Sequence, residues 1–212
     1  GSTDVFGQER TRSVNFVAAH DGFTLADSVS FADRRNHANG EENRDGHAHE
    51  VSWSAKALGR DGRGDVRAML ASLFASRGTI MLTAGDEFGR SQRGNNNAYA
   101  QDNEIGWVDW SKRDTPEGQA LLAFTSRLIA LRHQHPLLRA PSFLHAEKLP
   151  GTDINDLEWW DEQGQPLSPD DWNNPEGRAL VMRRARQLED GRIEGMTLLL
   201  NASGDEITFT LP

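Results

Sequence analysis

The stretch VNFVAAHDGFT, residues 14–24, carries an apolar run into His20-Asp21-Gly22. An imidazole beside a carboxylate can move protons or hold a polar ligand, provided the fold aims both into a cleft. Taken alone, the triplet reads more simply as an Asp-Gly turn beside a satisfied histidine. A second apolar run, TIMLTAGDE (79–87), ends in Asp86 and Glu87. A third polar cluster, GNNNAYAQDNE, supplies Asn95, Asn96, Asn97, Tyr99, Asp102 and Asn103. Sugar hydroxyls each donate and accept, so amides and carboxylates can bridge them while an aromatic ring covers an apolar sugar face. On that chemistry Asn96, Asn97, Tyr99 and Asp102 are the candidate sugar contacts, although the same composition also builds an Asn-rich turn. Trp107 and Trp110 read as core or stacking residues.

The segment NHANGEENRDGHAHE gathers His37, Glu41, Glu42, Asp45, His47, His49 and Glu50. It opens like a calcium loop, with Glu41, Asn43 and Asp45 at alternate positions before Gly46. The bidentate glutamate needed at the twelfth position falls on Ser52, so no metal site is assigned. There is no nucleophile elbow, dinucleotide fingerprint, phosphate-binding glycine loop or zinc helix, and no cofactor is expected. GRDGRGD precedes a helix without following a strand and lacks the Lys-Ser/Thr that a phosphate loop requires.

The elements that must position these groups follow from patterning. Residues 14–19 and 79–84 are short apolar runs of the kind buried in parallel sheets. Between them DVRAMLASLFASRG repeats Val66, Leu70, Leu73 and Phe74 at helical spacing, with Asp65 as expected N-cap and Gly78 at C′. Strand, helix, strand predicts two parallel strands, which brings His20-Asp21 and Asp86-Glu87 to one rim of a sheet. Parallel sheets gather ligands at that rim. The alternative for Asp86 and Glu87 is that they orient their loop through buried hydrogen bonds. A longer helix should begin at Thr115-Pro116, carry a stripe of Leu121, Phe124, Leu128 and Leu131, and end at Pro136. Beyond residue 140 the runs DLEWWDEQGQPLS, ALVMRRA, GMTLLLNAS and DEITFTLP read as antiparallel strands. The expected domains are 1–138 and 139–212.

The 212 residues have 36% hydrophobic and 26% charged composition, which suits a globular protein with one or two cores. A net charge of -9 with no basic patch argues against nucleic acid or an anionic membrane as partner. The chain has no cysteine, no run long enough to span a membrane and no apolar signal segment in GSTDVFGQER, and a cytoplasmic setting is the expectation.

VNFVAAHDGFTL, NHANGEENRDG, GTIMLTAGDEFGRSQRGNNNAYAQDNEIGWVDW and LRHQHPLLR together resemble the C-terminal part of glycogen debranching enzymes of the isoamylase type, in the α-amylase superfamily. The resemblance covers nearly the whole chain, departing at Arg77 and Ile80, where Gln and Pro are expected. It implies the C-terminal portion of a (β/α)8 TIM barrel (strands seven and eight, residues 1–138) followed by an antiparallel β-sandwich (139–212). It implies hydrolysis of α-1,6 branch linkages in glycogen or limit dextrin by a retaining mechanism. Asp21 would be the carboxylate that stabilises the transition state and His20 a substrate contact. The nucleophile and the acid/base would lie on strands four and five, in an N-terminal part of the same enzyme that the 212 residues do not include. The alternative class is a noncatalytic α-glucan-binding or structural module.

Overall fold

The computed structural model describes residues 10–211, so the Gly1-Ser2 start and most of the segment searched for a signal lie outside the described residues. The chain divides into two units, Arg12–Arg139 and the residues from Ala140 onward, the latter joined by Arg10 and Thr11.

In the first unit, β1 (Val14–Asn15) and β2 (Thr79–Ile80) pair in parallel, as the strand, helix, strand order predicts, with Val14 opposite Thr79 and Asn15 opposite Ile80. Both strands are shorter than the apolar runs. Val14, Phe16 and Val17 are exposed and only Ala18 is buried, a correction to the expectation of a fully buried strand. Burial on both faces needs neighbours on both sides, and among the described residues β1 pairs only with β2.

Helix α1 (Leu25–Ser28) follows at once, N-capped by Thr24, whose hydroxyl accepts from the Asp27 N–H at 3.2 Å. Helix α2 (Arg63–Ala75) begins three residues earlier than the pattern suggests, with Gly62 at φ 74° as N-cap. Asp65 sits inside the first turn instead, where its carboxylate accepts from the Trp53 indole at 2.9 Å and from Arg60 at 2.9 Å. A carboxylate there still complements the helix dipole. The helix closes at Ser76, and Gly78, at φ 94°, serves a tight approach: a Cβ there would lie 2.6 Å from the Ser13 carbonyl.

Helix α3 (Pro116–Gln134) starts as expected, Thr115 accepting from the Gly118 N–H at 3.1 Å. Leu121, Phe124 and Leu128 pack against a core of Ala18, Leu25, Val29, Val66, Leu70 and Phe74, whereas Leu131 is exposed. Arg132 of α3 reaches across to donate to the carbonyls of Phe74, Ser76 and Gly78 at 2.9, 2.8 and 2.7 Å, capping the end of α2. One-turn α4 (Pro136–Arg139) ends the unit.

In the second unit, β3 (Leu157–Trp160), β4 (Ala179–Gln187) and β5 (Ile193–Asn201) form one antiparallel sheet in the order β3-β4-β5, with the one-turn helix α5 (Pro169–Trp172) between β3 and β4. Val181 and Ala185 of the central strand are fully buried, and β5 alternates strictly between exposed and half-buried positions, as a half-wet strand must. DEITFTLP, expected as a further strand, forms none among its described residues. The Thr210 N–H donates to the Glu162 carbonyl at 2.9 Å and the Asp205 carbonyl accepts from the Asn201 amide at 2.8 Å, and these bonds make no ladder.

Candidate functional site

His20 and Asp21 follow the last residue of β1 by five and six positions, with side chains 90% and 59% exposed and His20 Nε2 lying 3.3 Å from Asp21 Oδ2. Gly22 turns the chain at φ 88°, which only glycine adopts without strain. Its N–H donates to the Asn96 carbonyl at 3.0 Å. The turn that presents Asp21 is therefore anchored on the loop that follows β2.

That anchor is rigid because the asparagine cluster is folded into the protein. Asn96 is buried: its amide donates to the His47 carbonyl at 3.0 Å and to Glu50 Oε1 at 2.8 Å. Its Oδ1 accepts from the Asn36 amide at 2.8 Å, and its own N–H donates back to Asn36 Oδ1 at 3.0 Å. Both side-chain donors of Asn96 are thus spent inside the protein, which withdraws its amide from the sugar-facing role expected of it. Asn97 likewise donates to Asp45 Oδ2 at 2.8 Å, and Asn39 donates to the same oxygen at 2.7 Å. The Asn39 amide first, and Asn97 after it, hold the Asp45 carboxyl below its ordinary range against the opposing effect of burial. Asn95 donates to Asn39 Oδ1 at 2.8 Å.

These contacts explain the calcium-like spelling of the first loop. Arg34 donates to the carbonyls of Asn43, Gly46 and Arg44 at 3.0, 3.0 and 3.2 Å, so a guanidinium gathers the carbonyls of this loop. Gly46 must be glycine: at φ 73°, a Cβ would fall 2.4 Å from Asn96 Oδ1.

A second set of buried groups fixes the start of the same loop. Asp86 is buried and accepts from the Leu25 N–H at 3.2 Å. Burial pushes its carboxyl up to about 7, against the lowering effects of that hydrogen bond and of Arg90. Glu87 accepts from the Gly85 N–H at 2.8 Å. Asp27 of α1, also buried, accepts from Ser91 Oγ at 2.5 Å and from the N–H groups of Gln92 and Gly94 at 2.7 and 3.3 Å. Thr24 donates to the Arg90 carbonyl at 2.9 Å. Asp86 and Glu87 therefore touch the backbone that carries the site, while Tyr99 projects free at 86% exposed and Asp102 accepts from the Trp107 indole at 2.9 Å.

Asn36 and Asp27 were not singled out by sequence, and Glu50 and Gly46 only as members of the metal-like loop. The bonds of Asn36, Glu50 and Asp27 to the loop after β2 span 46 to 67 positions, and neither hydrophobic period nor motif spacing reports such pairs. A polar pocket lined by Phe23, Asp33, Arg34, His47, His49 and Glu50 opens beside this network. Among the described residues no group of three or more His, Asp or Glu is arranged to hold a metal ion.

The chain shares its fold with part of a solved structure: pullulanase from Paenibacillus barengoltzii, in complex with maltohexaose and α-cyclodextrin, matches 94% of this chain and 24% of its own at a TM-score of 0.60 and 21% identity. No family model matches the sequence. A glycogen operon protein GlgX homolog of Mycobacterium tuberculosis is 37% identical over 232 residues, spanning 100% of this chain and 32% of its own length. Glycogen debranching enzymes of Cronobacter sakazakii and Salmonella typhi are 40% identical over 212 residues and 44% over 184, covering 94% and 82% of this chain. The chain spans about a third of the length of these relatives. It is similar to a C-terminal segment of glycogen debranching enzymes of the isoamylase type, the resemblance its motifs carry.

Proposed function

We propose that this chain is the part of a glycogen debranching glycoside hydrolase that carries the transition-state-stabilising carboxylate, Asp21, for cleavage of α-1,6 linkages in glycogen or limit dextrin. One observation carries the reading: an exposed His20-Asp21 pair on the segment that follows a parallel strand, on a turn locked by Gly22 to a buried asparagine network. A rigidly held carboxylate favours an oxocarbenium-like transition state because its hydrogen bonds to sugar hydroxyls strengthen as the ring flattens. His20 assists by contacting the same glucosyl unit. Tyr99 and Asp102 bind α-glucan, Asn96 and Asn97 act as the frame that holds the turn, and Asp86 and Glu87 orient the loop.

In this reading residues 12–139 are the last two strand and helix units of a (β/α)8 barrel, and the following sheet belongs to a β-sandwich. The partner is an upstream part of the same enzyme, which supplies the nucleophile and the proton donor, and the enzyme works in the cytoplasm without a cofactor. Among the described residues no helix is long and apolar enough to cross a membrane. The test takes the 212-residue chain, confirms its mass, and measures maltohexaose binding by calorimetry and reducing ends released from glycogen. Binding weakened by Asp21→Asn, with no hydrolysis, is expected. Hydrolysis abolished by Asp21→Asn would mean that a full catalytic set lies within these residues, and binding untouched by Asp21→Asn would leave only a noncatalytic module.

A further inference from the structure

Trp107 is 58% exposed. A tryptophan that forgoes burial loses stabilisation available from a large apolar surface. Its ring is nevertheless held. The indole N–H donates to Asp102 Oδ1 at 2.9 Å, and the loop between the two residues is a closed turn. The N–H groups of Gly106 and Trp107 both donate to the Asn103 carbonyl, at 3.0 and 2.9 Å, and Asn103 Oδ1 accepts from the Ile105 N–H at 2.9 Å. Gly106 is obligatory there, because a Cβ would lie 2.2 Å from the Gln101 carbonyl.

The turn is in turn bolted to the site. Gln101 donates to Asn39 Oδ1 at 2.7 Å and to the Ala38 carbonyl at 3.0 Å, and Arg90 donates to the Gly106 carbonyl at 3.0 Å. Asn39 shares Asp45 with Asn97, the neighbour of the residue that anchors Gly22. A loop fixed at this many points presents a flat apolar face and a carboxylate oxygen side by side. That pairing suits a glucosyl unit, whose ring has an apolar face edged by hydroxyl groups.

We propose that Trp107 and Asp102 form an α-glucan subsite distinct from the His20-Asp21 turn, Trp107 stacking on a glucosyl ring and Asp102 fixing the indole and accepting from a sugar hydroxyl. This rests on the α-glucan reading of the chain. Trp107 is the contact residue. Asp102 acts both through the indole and on the ligand.

The experiment follows the indole ¹H–¹⁵N signals of the 212-residue chain during titration with maltohexaose, the Trp107 signal being assigned by its loss in Trp107→Phe. It is repeated in Asp21→Asn. The Trp107 signal is expected to shift saturably in both backgrounds, and Trp107→Ala to bind maltohexaose about tenfold or more weakly. Asp102→Ala should weaken binding while Asp102→Asn, which keeps an oxygen for the indole, restores most of it. If Asp21→Asn weakens binding but Trp107→Ala does not, the subsite is wrong and the broader function stands. If the parent chain binds no maltohexaose, both fall.

Discussion

Gly22 donates its N–H to the carbonyl of Asn96 at 3.0 Å, and this contact joins the turn bearing Asp21 to a buried amide network more than seventy residues further along the chain. The position of an exposed carboxylate is thereby set by a residue that touches no solvent. Asn96→Asp keeps the shape but removes both amide donors and puts a carboxylate against Glu50, so it is expected to destabilise the chain on the order of 3 kcal/mol or more. Pairing it with Glu50→Gln, whose amide can donate to the new carboxylate, should recover a large part of that loss in a double-mutant cycle. Urea unfolding midpoints measure it, and simple additivity of the two changes would refute a direct Asn96–Glu50 coupling.

Two glycines of the first polar loop give an internally controlled comparison. Gly40 and Gly46 have similar backbones, φ 79° and 73°, but a Cβ at Gly40 meets nothing within 4 Å while one at Gly46 collides with Asn96 Oδ1 and the Asn36 amide. Gly40→Ala should cost only the left-handed backbone strain, about 1–2 kcal/mol. Gly46→Ala should cost clearly more and should also loosen the Asp21 turn, read as faster amide exchange at Gly22. Equal losses from the two substitutions would mean that the packing around Gly46 is not as tight as described.

The end of α2 depends on a side chain from α3. Arg132 places three N–H groups on three carbonyls in a fork that a lysine ammonium cannot reproduce. Arg132→Lys is expected to lower stability by about 2 kcal/mol, because buried carbonyls lose partners while the charge is retained. A thermal shift of less than a degree would show that water replaces the guanidinium without cost.

The sequence made some of this legible and hid the rest for physical reasons. The parallel pairing of β1 with β2 and the Thr115 cap follow from local grammar, since chain order and short-range capping chemistry decide them. Strand lengths did not follow, because Phe16 and Val17 are apolar whether or not a neighbour covers them. Asp65 has the right chemistry for a cap, yet Trp53 and Arg60 draw its carboxylate away and the helix is capped at Gly62. The asparagine run was recognised as polar and turn-forming, but Asn36 and Asn96 find one another across sixty residues through hydrogen bonds that leave no periodic trace.

The last expectation concerns acidity. Asp86 lies buried with its carboxyl pushed up to about 7, chiefly by desolvation, while the Leu25 N–H and Arg90 pull it down and Glu87 and Asp27 push it up. In the unfolded chain the same group titrates near 3.8. Between those values the folded state keeps a proton that the unfolded state releases, so stability falls as pH rises through the window. The Asp86 contribution is complete below about pH 4 and is lost as pH climbs through about 7, with a slope of at most about 1.4 kcal/mol per pH unit. Asp86→Asn retains an oxygen for the Leu25 N–H but carries no titrating proton. Relative to the parent chain, the variant should therefore gain stability steadily from pH 4 to pH 7.5, whatever the other groups contribute to both proteins. Denaturant unfolding of the two chains across that range measures the difference directly. Parallel stability curves would mean that Asp86 is ionised throughout and that its burial is compensated by more than one hydrogen bond.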